Sequence, residues 1–384
     1  MTASAQHIIV IGAGIGGLAA ALALQRRGFK VSVYERGAEI REFGAGVVIA
    51  PNARRALRDL GVDEALERLS ASAPLIHTCV YNTGEIIRTD RNDAIAARQG
   101  MGVLQVHRGD LHGLLLQAVQ ANDADAVHAE HTFVALDQDA AGVTVSFSNG
   151  ARRRADAVIG ADGNSSAVRS FLFPGENPKF TGQVAFRALV PDELCPPAVR
   201  ERGSAMYQGP RRYLLHYPLR SGRIMNLIGC GQALSWEEEG WAIPATNEEF
   251  LHHYSDYAPE LLELIRNVPP GELFKWGLRD REPLATWTQG RVAMLGDAAH
   301  PMMPFLGQGA CIALEDGLVL GRAFAAAPTV DEALARYEAA RRTRGTNVQL
   351  WTREEGITLQ DPTRKRRTAL DRGLFDYDPA TVAV

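Results

Sequence analysis

The sequence is poor in cysteine and has no excess of positive charge. Its 384 residues include four cysteines, with no CxxC pair and no Cys/His cluster at zinc spacing, which argues against a disulfide framework or a structural zinc site. Its 41 Lys and Arg residues do not outnumber its 45 Asp and Glu residues, so no basic field attracts nucleic acid or an anionic membrane. We therefore expect small-molecule ligands, with no metal, nucleic-acid or membrane partner.

A hydrophobic run long enough to cross a membrane is also missing. Residues 8–24 carry no charge, but four glycines interrupt them, and they fall short of the roughly 20 apolar residues that a span needs. No Lys or Arg precedes them, as one would in a secretory signal. These absences indicate a cytoplasmic enzyme, and a length of 384 residues predicts two lobes.

The N-terminal residues carry the pattern of a βαβ unit. Residues 7–11 form a buried apolar run, residues 18–27 are strong helix formers that end at Gly28, and residues 30–34 form a second strand. We therefore predict an α/β protein whose first lobe has a Rossmann-like domain with a parallel sheet.

A β-rich second lobe interrupts this domain. Strands are predicted at residues 75–89 as a hairpin and at 183–190, 213–218 and 223–230, followed by a helix at 248–267. In the first lobe, a hairpin pairs residues 143–147 with a strand at 155–159, and residues 291–295 and 310–325 return as a buried strand and a helix. The first lobe comprises residues 1–71, 101–180 and 286–350, the α+β second lobe comprises 72–100 and 181–285, and 351–384 form a C-terminal tail.

Residues 12–17 match the GxGxxG pattern between the first strand and the first helix. Gly12 permits the tight turn, Gly14 lets a pyrophosphate approach the backbone, and Gly17 lets the helix pack closely on the strand. Glu35 ends the second strand, where a carboxylate accepts hydrogen bonds from a ribose. The motif predicts dinucleotide binding and leaves NAD and FAD open.

Two further motifs extend this pattern. They are Ala161-Asp162-Gly163 and Gly296-Asp297, the latter running on through Pro301 to Gly309. Together with GxGxxG they resemble the three fingerprints of the single-component (group A) FAD-dependent aromatic hydroxylases, which have the para-hydroxybenzoate hydroxylase-like fold. Residues 107–111 and 375–378 resemble the branch containing salicylate, 3-hydroxybenzoate and 6-hydroxynicotinate monooxygenases.

The resemblance implies a set of FAD contacts. Gly12, Gly14, Gly16 and Gly17 would face the pyrophosphate, Glu35 the adenosine ribose with Arg36 beside it, and Arg108 the diphosphate and ribityl chain. Phe133 would contact the adenine side through its backbone, Asp297 the ribityl hydroxyls, and Gly307 and Gly309 the flavin pyrimidine edge. The family has no separate nicotinamide domain and binds NADH or NADPH transiently, with Asp162, Gly163 and Arg169 implicated.

The substrate side is predicted on the strand at residues 213–218. Period two places Tyr213, Leu215 and Tyr217 on one side and His216 on the other. The resemblance implies that Tyr213 and Tyr217 face the aromatic ring. We predict that Tyr217 is the phenol that contacts the substrate and, by relaying a proton to solvent or to a histidine, the candidate base. His216 is either a second catalytic group or a member of a polar cluster on the opposite face.

Other substrate contacts come from departures from the family. Val48 and Phe305 stand where the 6-hydroxynicotinate enzymes have histidines, and Pro304 stands where 3-hydroxybenzoate hydroxylase has a glutamine. The pocket is therefore more apolar, which favours a ring with fewer polar substituents or a larger fused aromatic. Arg187 and Arg220 remain candidates for holding a carboxylate or for forming structural ion pairs.

The resulting hypothesis is an FAD-dependent monooxygenase. It would hydroxylate a phenolic or N-heteroaromatic ring, carboxylated or not, with NAD(P)H and O2 through a C4a-hydroperoxyflavin. Two alternatives stay open on the sequence: an FAD-dependent epoxidase or natural-product tailoring oxygenase, and a non-catalytic flavin sensor. The choice between NADH and NADPH also stays open, as does that between monomer and homodimer.

Overall fold

The computed structural model describes residues 6–40, 45–233, 236, 242–359, 361 and 364–384. In chain order the strands are β1 (His7–Ile11), β2 (Lys30–Tyr34), β3 (Gly46–Ile49), β4 (Leu75–Val80), β5 (Ile86–Arg91), β6 (Leu104–His107), β7 (Val127–His128), β8 (Phe133–Asp139), β9 (Gly142–Phe147), β10 (Arg152–Ala155), β11 (Ala157–Gly160), β12 (Lys179–Pro191), β13 (Ser204–Gly209), β14 (Arg212–Leu219), β15 (Ile224–Gln232), β16 (Ile243–Pro244), β17 (Leu273–Asp280), β18 (Thr288–Gln289) and β19 (Val292–Met294). The helices are α1 (Ile15–Gln25), α2 (Pro51–Asp59), α3 (Asp63–Leu69), α4 (Asn92–Gln99), α5 (Arg108–Asn122), α6 (Ala167–Leu172), α7 (Pro197–Arg202), α8 (Asn247–His253), α9 (Pro259–Arg266), α10 (Gly309–Ala326) and α11 (Val330–Leu359).

A six-stranded sheet forms the core of the first lobe. Its strand order is β18-β19-β11-β1-β2-β7, and every neighbouring pair is parallel except β18 and β19. The central strands β1, β11 and β19 are apolar runs buried along almost their whole length, as expected for strands covered on both faces. Helix α1 joins β1 to β2 and packs against α10, so the predicted βαβ unit is confirmed.

A mixed eight-stranded sheet forms the second lobe, with the order β16-β17-β12-β15-β14-β13-β4-β5. Only the β13–β4 pair is parallel within the described residues. One face packs on α8 and α9, and the other face turns toward the first lobe. The small pair β3–β6 of the first lobe lies against that second face, because Gly46 of β3 contacts Tyr217 of β14. The predicted fold class is confirmed.

Three predicted elements differ from the structure. The strand predicted at residues 155–159 is split, because β10 pairs with β9 while β11 joins the parallel sheet. The helix predicted at 248–267 is two helices, since Pro259 cannot donate a backbone N–H and begins α9 afresh. Helix α11 runs through the predicted boundary at residue 350.

Within the described ranges, no helix combines the length and the apolar character needed to cross a lipid bilayer.

Candidate active site

The turn between β1 and α1 is built so that only glycine fits at its key positions. Gly12 has a φ of +105°, and a Cβ there would lie 2.5 Å from the carbonyl oxygen of Ala161. A Cβ at Gly17 would overlap the carbonyl oxygen of Gly12. Gly14 is the N-cap of α1 and carries no capping side chain, so the first-turn N–H groups can bind an anion.

Glu35 supports this turn from the end of β2. Its carboxylate accepts the backbone N–H groups of Ala13 and Gly37, both at 2.9 Å. Each carboxylate oxygen keeps a further lone pair for a ribose hydroxyl. Arg36 beside it is exposed. The sequence did not indicate His112, a buried residue of α5 whose Nε2 lies 2.7 Å from the Ala13 carbonyl oxygen and holds the turn from the other side.

The Asp162 carboxylate caps helix α6. It accepts the N–H groups of Ala167 at 2.7 Å and Val168 at 3.1 Å, and also the Ser166 hydroxyl. Burial raises the pKa of Asp162, while these hydrogen bonds lower it. The predicted cofactor contact of Asp162 therefore stays a prediction, because in the structure the Asp162 side chain caps α6.

Arg169 was expected to meet the transient nicotinamide ligand, and its position argues against this. It is fully buried, and its guanidinium binds Glu176 and the carbonyl oxygens of Ala298, Ala299 and Glu282. Arg169 therefore ties the second motif to the third and is not accessible to a ligand that comes and goes.

The third motif forms a short turn above a buried charged cluster. Asp297 is exposed within the turn Gly296–Ala298. Below it, Asp316 accepts the Gly296 N–H at 3.0 Å and contacts His300 and Arg341. Burial raises the pKa of Asp316, but His300 and Arg341 outweigh it and bring that pKa to about 2. This cluster fixes the turn from beneath.

The loop after this turn leads into helix α10. Pro304 is exposed, Phe305 is buried against Gly356 of α11, and Gly307 has a φ of +62°. Gly309 is the first residue of α10, so the free N–H groups of that helix follow the loop directly.

Arg108 and Phe133 lie in two separate parts of the first lobe. Arg108 is half-buried at the start of α5, and its backbone N–H donates to Ala45 at 2.8 Å beside β3. Phe133 lies in the antiparallel sheet of β8, β9 and β10, buried with its ring edge against Phe171. Arg108 lies near enough to Arg187 of the second lobe to lower the pKa of that arginine. Phe133 lies on the Glu35 side, since His131 donates its backbone N–H to the Glu35 carbonyl.

A buried apolar cluster lies between the lobes, and it is the candidate substrate pocket. On β14, Tyr213, Leu215 and Tyr217 share the face toward the first lobe, as the alternation predicted. Val48 and Phe305 of the first lobe belong to the same cluster. The other lining residues come from neighbouring strands and from the loop before Phe305: Ala185, Ile228, Cys230, Trp276 and Met303.

The two tyrosines of this pocket have different surroundings. Tyr213 donates its hydroxyl to the Cys230 sulfur at 3.1 Å and meets Phe305 edge-on at 6.0 Å. Tyr217 is 5% exposed, and its hydroxyl has no hydrogen-bond partner among the described residues. Burial raises the pKa of Tyr217 to about 12, against a lowering by the nearby Arg187. Tyr217 is therefore protonated at neutral pH.

Arg187 is the cation of the pocket. Its guanidinium carbon lies 5.3 Å from the Trp276 ring centroid, and its Nε is buried without a partner. Burial lowers the pKa of Arg187, and no carboxylate in the described part of the chain pairs with it. Arg220, the other candidate, is held by Asp110 through contacts of 2.7 and 2.9 Å and serves as a structural ion pair.

The position of His216 gives no support to its predicted catalytic role, which stays a prediction. His216 points to the opposite face of β14, is fully buried, and its Nδ1 lies 3.0 Å from the Gly203 carbonyl oxygen. Its neighbours there are Tyr207 and the second-lobe core, and burial lowers its pKa to about 4. This position supports the other interpretation, in which His216 belongs to a cluster on the opposite face of β14.

The chain is similar to known proteins over most of its length. A family model described as FAD binding domain matches residues 5–352. 3-Hydroxybenzoate 6-hydroxylase from Klebsiella oxytoca is 35% identical, covering 92% of this chain and 89% of the relative. 6-Hydroxynicotinate 3-monooxygenase from Bordetella bronchiseptica is 33% identical, covering 89% of each. A salicylate hydroxylase substrate complex superposes with a TM-score of 0.82 at 27% identity, covering 98% of this chain and 96% of that one.

Proposed function

The chain belongs to the FAD binding domain family, among relatives that are aromatic-ring monooxygenases, and we propose that it hydroxylates a phenolic or N-heteroaromatic ring with FAD, NAD(P)H and O2. The observation that carries this proposal is the buried apolar cluster between the lobes: the Tyr217 hydroxyl in it has no hydrogen-bond partner, and the neighbouring Arg187 has no acid partner, among the described residues. An aromatic ring with a hydroxyl and a negative charge matches that set of groups.

The nucleotide site fits FAD. Gly12 and Gly17 leave no room for a Cβ, so the backbone at this turn stays open to a pyrophosphate, and Glu35 keeps acceptor capacity for a ribose. The residues that would hold FAD are Gly12, Gly14, Gly16, Gly17, Glu35, Arg36, Arg108, Phe133, Asp297, Gly307 and Gly309. When bound, FAD accepts hydride from NAD(P)H and activates O2 for transfer of one oxygen atom to the ring.

Tyr217 is proposed to act on the hydroxyl of the substrate. An ordinary phenol titrates near 10, and its ionised form is the electron-rich one, so the site must stabilise a phenolate at neutral pH. Because burial keeps Tyr217 protonated, we assign it as a hydrogen-bond donor to that phenolate oxygen and not as the base. The apolar walls formed with Val48 and Phe305 exclude water from this contact.

Arg187 is proposed to hold an acidic substituent of the ring. Arg187 is half-buried, but its Nε is fully buried and has no partner among the described residues, and a ligand carboxylate would supply one. Its rigid fork of donors suits a carboxylate in two-point contact. Leu215 and Pro304 would then border the ring without contributing charge.

The test is oxidation of NADH and NADPH by the purified holoenzyme, measured together with product and peroxide. The panel is hydroxybenzoates, pyridine carboxylates and uncharged phenols. We expect a carboxylated phenol to stimulate oxidation with little peroxide, and Tyr217→Phe to slow hydroxylation and raise peroxide release with FAD still bound. If no aromatic compound stimulates oxidation, the proposed function fails, and equal coupling in the Tyr217→Phe variant would remove Tyr217 from it.

Three further assignments belong to this proposal. We place the enzyme in the cytoplasm, because its four cysteines are free and buried, as suits a reducing compartment. We propose a monomer or homodimer. We also keep the division into an FAD-binding domain and a substrate domain, with the eight-stranded sheet as the substrate domain.

A further inference from the structure

Gly356 is a buried glycine inside helix α11, close to the end of the helix at Leu359. Glycine is among the least favourable residues in a helix interior, because it loses more backbone freedom on folding than alanine does. Position 356 does not need that freedom, since the φ of Gly356 is not positive. The missing side chain is therefore what this position uses.

The space left by the missing side chain is filled by the ring of Phe305. A Cβ built on Gly356 would overlap Cε2 of that ring and would lie 2.7 Å from its Cδ2. Carbon atoms in contact stay about 3.5 Å apart, so a methyl group at position 356 would force the ring edge to move by about 1 Å. Phe305 is buried, so the ring cannot make this move into solvent.

The ring of Phe305 lies between helix α11 and the sheet of the second lobe. It meets the Tyr213 ring edge-on at 6.0 Å, and it belongs to the same buried cluster as Tyr217. Leu359, on the same side of α11 as Gly356, belongs to that cluster as well. A ring pushed away from Gly356 therefore moves toward Tyr213, into the candidate substrate pocket.

We infer that Gly356 is a specificity-determining residue that acts by positioning Phe305. The absent side chain lets the ring rest against α11, and the position of the ring limits the width of the aromatic substrate that fits beside Tyr217. Gly356 itself does not touch the substrate. The inference rests on the proposed function and deepens it, because it assigns the size limit of the substrate ring to a residue behind the wall of the pocket.

The experiment measures the Kd of ligands of graded width for the holoenzyme, by the change in flavin absorbance and without NAD(P)H. The ligands are salicylate, its ring-methyl and ring-isopropyl derivatives, and 3-hydroxy-2-naphthoate. Gly356→Ala should raise the Kd of the widest ligand that the wild type binds by roughly tenfold, with smaller effects on narrower ligands, as expected for one methyl group in an apolar site. Gly113→Ala, a helical glycine whose Cβ has open space, is the matched control and should change no Kd.

A second substitution tests whether Phe305 carries the effect. Phe305→Val has no atom at the δ and ε positions that a Cβ at position 356 would meet, so it should shift the size limit to wider ligands. In the Phe305→Val background, Gly356→Ala should leave every Kd unchanged. A merely structural role of Gly356 would weaken all ligands by the same factor, or would weaken them equally in both backgrounds, and either result overturns the inference.

Gly356→Ala alone places the methyl group against the ring, so it is the variant most at risk of misfolding. If it does not fold, the Gly356→Ala, Phe305→Val double variant, in which this clash is absent, must fold and bind the same ligands as Phe305→Val; failure of either expectation overturns the inference. Binding needs no turnover. A protein that binds the series and hydroxylates none of it refutes the proposed function while the Kd values still decide the role of Gly356, and a wild type that binds no member overturns both.

Discussion

Replacing Arg187 with glutamine should selectively weaken ligands that carry a carboxylate. Arg187 is half-buried beside Trp276, and no carboxylate among the described residues pairs with it, so the change leaves none of those acids unpaired in the free enzyme. Hydrogen bonds to charged groups contribute about 1.5 to 3 kcal/mol, which corresponds to a roughly 10- to 150-fold rise in Kd. Because Arg187 is only half-buried, we expect a value in the lower half of that range.

The assay compares two ligands that differ in one substituent, a carboxylate in the first and an uncharged hydroxymethyl group in the second. 3-Hydroxybenzoate and 3-hydroxybenzyl alcohol share the phenol, and their binding to the holoenzyme is measured by the change in flavin absorbance. In the wild type the carboxylate should bind more tightly than the alcohol. In Arg187→Gln that preference should disappear, with the Kd of the alcohol changed less than threefold. Arg187→Lys should restore part of the preference, since it keeps the charge and loses the fork of donors.

Arg220→Gln is the matched control, because it removes an arginine whose partner is known. Arg220 follows the end of β14, is partly exposed and pairs with Asp110, so its loss should lower the Tm slightly and leave the carboxylate preference unchanged. If Arg187→Gln weakens both ligands equally, Arg187 serves the shape of the pocket and the assignment of an anion contact is refuted.

Two further predictions concern the cofactor turn and the far face of β14. Gly17→Ala should abolish FAD retention, because its Cβ would overlap the Gly12 carbonyl oxygen. Gly113→Ala has open space around its Cβ and should retain FAD, so it is the control. Flavin absorbance per protein measures retention, and a yellow Gly17→Ala protein would contradict the assignment of the FAD site. His216 is neutral in the folded protein, where its pKa is about 4, against about 6.5 in the unfolded chain. Between pH 7.5 and 4.5 the free energy of unfolding of the wild type should therefore fall by about 2 to 3 kcal/mol more than that of His216→Gln. Urea unfolding at both pH values measures this difference, and equal losses would show that His216 is not buried neutral.

The fold could be predicted from the sequence wherever a local pattern is compatible with only one kind of secondary structure. A continuous apolar strand before glycines and a helix can only be a covered parallel strand, and β1, α1 and β2 confirm this. The strand predicted at residues 155–159 failed for a different reason. Its residues belong to two strands: β10 carries three exposed arginines before Ala155, and β11 is a buried apolar run. Asp156 between them accepts the His7 N–H at 2.7 Å and marks where the chain leaves one sheet for another. Pairing of this kind is not encoded in local periodicity.

In the site, too, local alternation could be predicted from the sequence, whereas contacts set by strand pairing could not. Period two states that Tyr217 and His216 face opposite ways, and the structure agrees, but alternation alone does not say which face meets the nucleotide lobe. That choice depends on the glycine at position 46, where the first lobe comes close enough to contact the Tyr217 ring. Asn226, whose Oδ1 accepts the Gly46 N–H at 2.8 Å, was missed for this reason, since Gly46 is 180 residues away and the neighbour Tyr217 is set by the β14–β15 register. A one-residue slip of that register would turn Asn226 into the second-lobe core and leave the Gly46 N–H without an acceptor, so the hydrogen bond itself helps to specify the pairing.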